Sequence, residues 1–507
     1  MDIKHPSLLV FLFVFLVINS ISAQKQLGED LIGIGHAHWG SRLAMSSDGY
    51  TVATSGWRAR TGEGNNGEVA VFQWVDSAWQ QKGQIIVGEE FDRLGAELFL
   101  STTGDTLICS RGWIGRARPQ VYTYYDSADE WRRIDTINGQ DNNRVIYDYA
   151  ENAGVIVGSG QNGATSSIYC YFMGPEGRQP WGNEIPVIGE RNDISYKIDA
   201  KTDKKAKTLV SVYTEDDRRP SGNDEFFEIY KLVDTTWELD TIFLIKQRPR
   251  LFLDTWYDIS GDGNTLVFSG IDFESGKLIL VFYQKSDGKW QKMQDSISID
   301  TREFSSYTGE VKLNKEGNRV FVSSTFEELN LEPVGVGLLF ELESGIWQKV
   351  GAPVFGNEAY WKVGEACAMN DAGTMVAMGG SQPGSHPGSG RFAVYDFSCE
   401  GKHVIDERDV CEYENVDWID GNEYGASWLE LTRIVYFTET EEGCDSIIEL
   451  KLNRREVERL DITIDSCDAI WFDSTFLEDA GPYRFIYTSQ YGCDSVVSVD
   501  FNRWYVN

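Results

Sequence analysis

Ser46 to Gly56 reads SSDGYTVATSG, a polar turn running into a short apolar stretch, and the phrase returns along the chain. It recurs as STTGDTLICSRG from Ser101, YAENAGVIVGSG from Tyr149, AKTDKKAKTLVSV from Ala200, SGDGNTLVFSG from Ser260, NKEGNRVFVSS from Asn314 and NDAGTMVAMGG from Asn370. The turn positions Gly49, Gly104, Gly154, about Lys205, Gly263, Gly317 and Gly373 lie 50 to 58 residues apart, which makes seven copies of one structural repeat. A second phrase follows each copy, from GEVAVFQW at Gly67 to GRFAVYDF at Gly390. A third, a tryptophan strand, follows in six of them, at Trp79, Trp131, Trp181, Trp237, Trp290 and Trp347. The seventh copy stops at Ser398 without it. Lys25-Gln26-Leu27-Gly28, near the other end, matches the lines at Trp79-Gln80-Gln81-Lys82-Gly83 and Trp347-Gln348-Lys349-Val350-Gly351.

Four short β runs per repeat, rich in Val, Ile, Phe and Tyr and separated by turn residues, describe an antiparallel four-stranded sheet repeated radially. An N-terminal strand that completes the last sheet removes the open edges of such a ring. The fold expected is all-β: a seven-bladed β-propeller over 24–398, with Lys25 to Leu31 beside Phe392 to Phe397. A linear solenoid or a string of sandwiches gives no reason for the split seventh copy.

The spacing G-x4-M/L-S-x2-G at Gly40 to Gly49 and Gly95 to Gly104, with G-x-V-x-V-F and W-x-Q-x-G after it, resembles the FG-GAP or integrin-α-like propeller repeats. That resemblance implies calcium held by D-x-D-x-D-G between the first two strands. Here the turns read SSDG, STTG, NKEG and NDAG, short of the carboxylates that a six- to eight-oxygen site needs. Only Asp258, Ser260, Asp262 and Asn264 come near it; calcium there is the alternative to plain turn chemistry, and no other cofactor is expected.

From Cys399 to Asn507 the composition shifts to 25 acidic and 9 basic residues. Two copies of another pattern lie here, expected as modules over 399–454 and 455–507. Cys411, Trp418 and Gly443-Cys444-Asp445-Ser446 form the first; Cys467, Trp471 and Gly492-Cys493-Asp494-Ser495 form the second. The G-C-D-S phrase resembles small β repeats of secreted and surface proteins of Bacteroidota bacteria. Units this small bury little core, and one disulfide closing each compensates in an oxidising compartment. The placement of one Cys before and one after each hairpin gives Cys411–Cys444 and Cys467–Cys493. Zinc is the rival reading, but no C-x2-C knuckle is present. Cys109, Cys170 and Cys367 read as core residues, and Cys399 has no obvious mate.

Lys4 followed by 11 apolar residues from Leu8 to Ile18, then Ser20 to Ala23, reads as an export signal cleaved near Ala23. Such a run is too short to span a bilayer, so the protein is expected outside the cell or on its surface, with no membrane insertion and as a monomer. The 507 residues carry 46 Lys+Arg against 79 Asp+Glu, a net charge of −33, which excludes nucleic acid as a partner. Four histidines outside the signal, His36, His38, His386 and His403, and no G-x-S-x-G motif leave little room for nucleophilic catalysis. No catalytic residue is assigned.

In an up-and-down blade the 2–3 and 4–1 loops share one face. Trp57, Arg58 and Arg60 and then Trp113, Arg116 and Arg118 occupy matching 2–3 loops, while His36 and His38 sit in a 4–1 loop that is a candidate ligand or metal position. Arg and Trp together on one rim of an acidic protein suit an anionic glycan or protein carboxylates. The alternative is that the tryptophans pack under their loops and the arginines pair with nearby acids. The expected function is an exported non-catalytic binding or adhesion protein with the propeller as recognition head. The competing one is a propeller hydrolase or lyase acting on an acidic polysaccharide.

Overall fold

In six of the seven repeated turns the first residue carries a side-chain acceptor that organises the turn; the third turn starts at Ala150, whose carbonyl accepts Ala153 N at 3.1 Å. Ser46, Ser101 and Ser260 Oγ accept the backbone N–H five residues on, at 3.0, 2.9 and 2.9 Å, as do Asn314 and Asn370 Oδ1 at 2.9 and 3.0 Å. Even the eroded copy obeys: Asp203 Oδ1 accepts Thr208 N at 2.6 Å. Its glycine position is Ala206, at φ 48°, one residue beyond the expected Lys205. Each turn leads from an innermost strand to a second strand, and the apolar residues after it fill the sheet cores.

The computed structural model describes residues 19–33, 38–60, 64–111, 118–136, 144–162, 165–174, 177–186, 198–215, 224–245, 256–272, 277–300, 310–329, 332–356, 363–381, 390–411, 415–425, 434–439, 445–455, 459–488 and 493–504. The chain divides into two compact units, 19–403 with 439–446, and 404–438 with 447–507. Among the described residues, the first unit holds seven antiparallel sheets, each opening on an inner strand. The inner strands are Arg42–Met45, Leu98–Leu100, Arg144–Ala150, Ile198–Thr202, Tyr257–Ile259, Val311–Leu313 and Ala366–Met369. The turns beyond them touch in order around a circle. Ser47 N donates to Thr102 O at 3.0 Å, Thr102 Oγ1 to Asn152 Oδ1 at 3.0 Å, Asn152 N to Lys204 O at 2.9 Å and Lys204 N to Gly261 O at 3.1 Å. Asp262 N donates to Lys315 O at 2.8 Å, Lys315 N to Asp371 O at 3.1 Å, and Asp371 N back to Ser47 O at 3.1 Å. The unit is a β-propeller with its ring closed.

Closure falls to the N-terminal strand. Asn19–Gln26 pairs with Arg391–Cys411 through Lys25↔Asp396 and Gln26↔Tyr395, and Leu31 pairs with Phe392. Asn19 to Ala23 continue this strand to His403, so the expected cleavage position lies within it. An ion pair between the buried Arg391 and the half-buried Asp30 adds to the seam. The tryptophan strands supply a second fastening from sheet to sheet. Trp79 Nε1 donates to Leu27 O at 2.7 Å, Trp131 Nε1 to Lys82 O at 2.8 Å and Trp237 Nε1 to Trp181 O at 3.0 Å. This explains the glycine of W-x-Q-x-G: Gly83 has φ 71°, and a Cβ there would meet Trp131 Cδ1 at 2.7 Å. The match of Gly28 to Gly83 has the same cause, since Trp74 and Trp79 pack over it.

The second unit has two small cores, one around Val410, Trp418, Ile434, Leu450 and Leu452, the other around Leu477, Val499 and Phe501. Its disulfide corrects the expected connectivity: Cys411 is joined to Cys493, 82 residues away, and Cys467 is free and exposed. Cys444 and the rest of its loop lie outside the described residues. Arg459–Ser466 runs parallel to Asp494–Arg503, from Arg459↔Val496 to Ser466↔Arg503. Cys493 therefore precedes one end of the pair and Cys467 follows the other, roughly 30 Å away at about 3.3 Å per residue, whereas a disulfide needs Cα atoms within about 7 Å. Cys109, Cys170 and Cys367 are buried free thiols in the propeller. No helix among the described residues is long and apolar enough to cross a membrane.

Candidate functional site

The 2–3 loop after Thr51–Gly56 folds onto the loop entering the next sheet. Arg93 N donates to Asn65 O at 3.1 Å and Leu94 N to Asn66 O at 2.9 Å, so 57–60 and 64–66 form one ledge with 88–94. On it Trp57 is half-buried, with the guanidinium carbon of Arg58 at 4.3 Å from its ring centroid and that of Arg93 at 5.9 Å. Arg58 is exposed and makes no ion pair with any of the described residues. Arg60, also exposed, donates from Nε to Asn65 Oδ1 at 2.9 Å. Phe91 is 67% exposed and, like Arg93, has a positive φ, 63° against 51°. Two non-glycine residues in the left-handed region within three positions mark a strained loop, and such strain persists where surrounding structure over-determines it. The ledge also carries acids: Arg111 engages Asp92 at 2.8 Å and Glu89 at 3.5 Å, while Glu90 is exposed beside Gly64.

Of the expected rim residues, the structure brings Trp57, Arg58 and Arg60 together. Trp113 and Arg116 lie outside the described residues, and Arg118 stands in the strand Arg118–Tyr125, opposite Arg111. His36 is outside the described residues; His38 is half-buried at φ 53°, and its carbonyl accepts from Ser41 Oγ at 2.8 Å. Phe91 and Arg93 escaped the sequence reading because they belong to the neighbouring 4–1 loop, where no repeat signal falls. The calcium candidates are not brought together. Asp262 accepts from Ser260 Oγ at 2.5 Å and Asn264 N at 3.0 Å, within the turn. Asp258 turns away to Lys201 Nζ at 3.0 Å and Leu313 N at 2.8 Å. Among the described residues no group of three His, Cys, Asp or Glu side chains is placed to hold a metal ion.

A second constellation lines the inside of the ring. Two residues before each turn start stand Ala44, Phe99, Asp148, Lys201, Asp258, Lys312 and Ala368, and four before it Arg42, Glu97, Asp199 and Glu310. The inner layer is ionically matched. Lys201 pairs with Asp258, Thr202 N donates to Asp148 Oδ2 at 2.7 Å, and Lys312 lies 3.6 Å from Glu310. Burial pushes the Asp148 carboxyl up to about 6 against the pull of Lys201. At the turn end Lys204 Nζ reaches Glu151 Oε2 at 2.6 Å and also bonds Asp371, which accepts Ser47 Oγ at 2.9 Å. Four turns of the ring are thus tied together by side chains across that end. Glu310 and Lys312 nonetheless keep 28% and 29% of their side-chain surface accessible, so solvent reaches the interior layers.

No family model matches this chain, and no curated protein matches it in sequence. The FG-GAP-like and G-C-D-S resemblances therefore rest on the motifs themselves. Among solved structures the chain is similar to a periplasmic gluconolactonase of Pseudomonas aeruginosa, at 12% identity over 62% of this chain and 88% of that one, with a TM-score of 0.41. It is also similar to the C-terminal WD40 domain of Sif2, at 10% identity over 75% and 99%, TM-score 0.44. The β-propeller domain of the trilobed protease of Pyrococcus furiosus matches at 11% identity over 68% and 91%, TM-score 0.40.

Proposed function

We propose that the protein is an exported binding protein whose propeller receives an anionic partner, a carboxylate-bearing glycan or an acidic protein surface, on the ledge of Trp57, Arg58, Arg60, Phe91 and Arg93. One observation carries this reading: Arg58 is exposed over a half-buried indole and has no ion pair among the described residues, in a protein of net charge −33. A cation–aromatic pair with its guanidinium edge turned to solvent offers a planar, bidentate contact to a carboxylate and a flat face to a sugar ring. The strained backbone at Phe91 and Arg93 supports it by holding a second ring and a second guanidinium on the same ledge.

The test is a panel of acidic and neutral polysaccharides scored for both retention and released reducing ends, with wild type and the Arg58→Ala/Arg60→Ala variant. Retention of acidic members is expected to fall at least about 10-fold in the variant and to weaken as salt rises through a Debye length of about 8 Å, with thermal unfolding unchanged. Undiminished retention by the variant would remove the ledge from the function. Released reducing ends would favour the hydrolase or lyase reading, for which Glu97 and Glu310 are the carboxyl groups to test.

A further inference from the structure

The two copies in the C-terminal unit are joined at one end and open at the other. Cys411 and Cys467 hold the same place in the first and second copies, as Cys444 and Cys493 do. The bond between Cys411 and Cys493 therefore runs from the first place in one copy to the second place in the next. Within the second copy those two places lie at opposite ends of the parallel pair Arg459–Ser466 and Asp494–Arg503, roughly 30 Å apart at about 3.3 Å per residue. The link is head to tail, and a head-to-tail contact recurs with each added copy instead of closing on itself.

The open end is the one at Cys467. At the closed joint Cys411 is half-buried and Cys493 is 2% exposed, whereas Cys467 is a free, exposed thiol. Two indoles stand beside it. Trp504 N donates to Ser466 O at 2.9 Å, which sets Trp504 next to Cys467, and Trp471 follows four residues on, in the strand Ile470–Phe472. They are 62% and 72% exposed, and Phe476, at 46%, extends the surface of Trp471 with ring centroids 5.2 Å apart. Aromatic surface gathered around a thiol, in a stretch otherwise rich in acids, has the composition of a protein contact.

We propose that the Cys467 end of the second copy is a docking surface for a further β module of the G-C-D-S kind on a partner protein, fixed by a disulfide from Cys467 to that module's G-C-D-S cysteine. Continuity with the joint already made names the occupant: the same place in the first copy holds the G-C-D-S cysteine of the module next to it. The bond forms by exchange with a small disulfide such as oxidised glutathione. The Cys467 thiolate attacks one of its sulfurs and expels one thiolate; the module's cysteine then attacks the Cys467 sulfur of the mixed disulfide and expels the second. Two protein thiols are oxidised, the small disulfide is reduced to two thiols, and the two protons pass to these leaving groups.

The test appends a duplicate of 455–507 after Asn507 of the full chain, as the probe module, in a buffer of reduced and oxidised glutathione. Peptide mapping without reduction should find Cys467 joined to the appended cysteine that corresponds to Cys493, with Cys411–Cys493 retained as proof that the original unit is folded. Trp471→Ala/Trp504→Ala in the extended chain should slow the new cross-link at least about 10-fold and leave Cys411–Cys493 intact. Extension by 399–454, whose G-C-D-S cysteine is Cys444, repeats the test should the first extension misfold. Wild type alone in the same buffer should stay monomeric on a non-reducing gel, with glutathione on Cys467. Cys467 left free in both extended chains, a cross-link indifferent to the two tryptophans, or a Cys467–Cys467 dimer of wild type overturns the proposal.

Discussion

The propeller and the C-terminal unit are both made by repetition, yet repetition has opposite consequences in them. Around the ring, Trp131 meets Lys82 and Gly83 much as Trp79 meets Leu27 and Gly28, because each copy adjoins another in the same orientation. In the C-terminal unit the two copies diverge. Trp418 is 5% exposed and donates from Nε1 to Asp406 at 3.0 Å, whereas Trp471, its counterpart, is 72% exposed and rests on Phe476. The disulfide likewise runs between copies instead of within each. A closed ring gives every copy a neighbour on each side, so the column of Trp79, Trp131 and Trp237 makes one contact three times. Trp181 stands in the place of Lys82 and donates to Ala206 O at 2.9 Å, and the Trp290 and Trp347 Nε1 groups find no acceptor among the described residues. Two copies alone give each a different environment, and equal motifs acquire unequal partners.

The largest effect that would break this comparison comes from the disulfide. Cys411→Ser opens a loop of 82 residues and is expected to cost the C-terminal unit about 4 kcal/mol in a chain-entropy account. Calorimetry should show that unit melting earlier while the propeller transition stays; a propeller transition that falls with it would make the two units one cooperative block.

Next comes the ring's interior. The folded Glu97 carboxyl lies near 7 against an ordinary 4.5, so its bound proton contributes stability that is complete below about 4.5 and lost as pH rises through about 7. Glu97→Gln removes that loss. In urea titrations the variant should match wild type at pH 4 and exceed it at pH 8 by at most about 3 kcal/mol, trimmed by interior water. Equal stability at pH 8 would mean that Glu97 ionises without penalty.

The smallest effect sharpens the account of the fastening. Trp131→Phe keeps an aromatic ring over Gly83 but removes the donor to Lys82 O, for about 1–2 kcal/mol of propeller stability. Denaturant midpoints should move for Trp131→Phe and Trp237→Phe alike, and an unequal response would show that the sheets are not equivalent.

Most of the propeller was legible because its turns and tryptophans return in phase. The cysteine partners were not, because symmetry between copies favours pairing within each, and only the parallel pairing of Arg459–Ser466 with Asp494–Arg503 shows why Cys467 and Cys493 stay apart. Three of the five side chains of the ledge were legible, Trp57, Arg58 and Arg60; Phe91 and Arg93 join it by loop packing that has no periodic trace. The interior charges carried a signal that went unread. Arg42, Glu97, Asp199 and Glu310 fall in one column of the repeat, four places ahead of the turn, whose other members are Ile146, Trp256 and Ala366.

The seam of the ring also sets the order in which the protein is able to fold. Gln24 holds Pro353 O and Ala352 N through its side chain, contacts that span 329 and 328 residues of sequence. At about 10 residues per second a ribosome needs roughly half a minute to supply the far partner, during which the first strand has nowhere to dock. Sheets of the middle copies are able to form early, but the circle stays an open arc with an exposed strand edge until Arg391–Cys411 emerges.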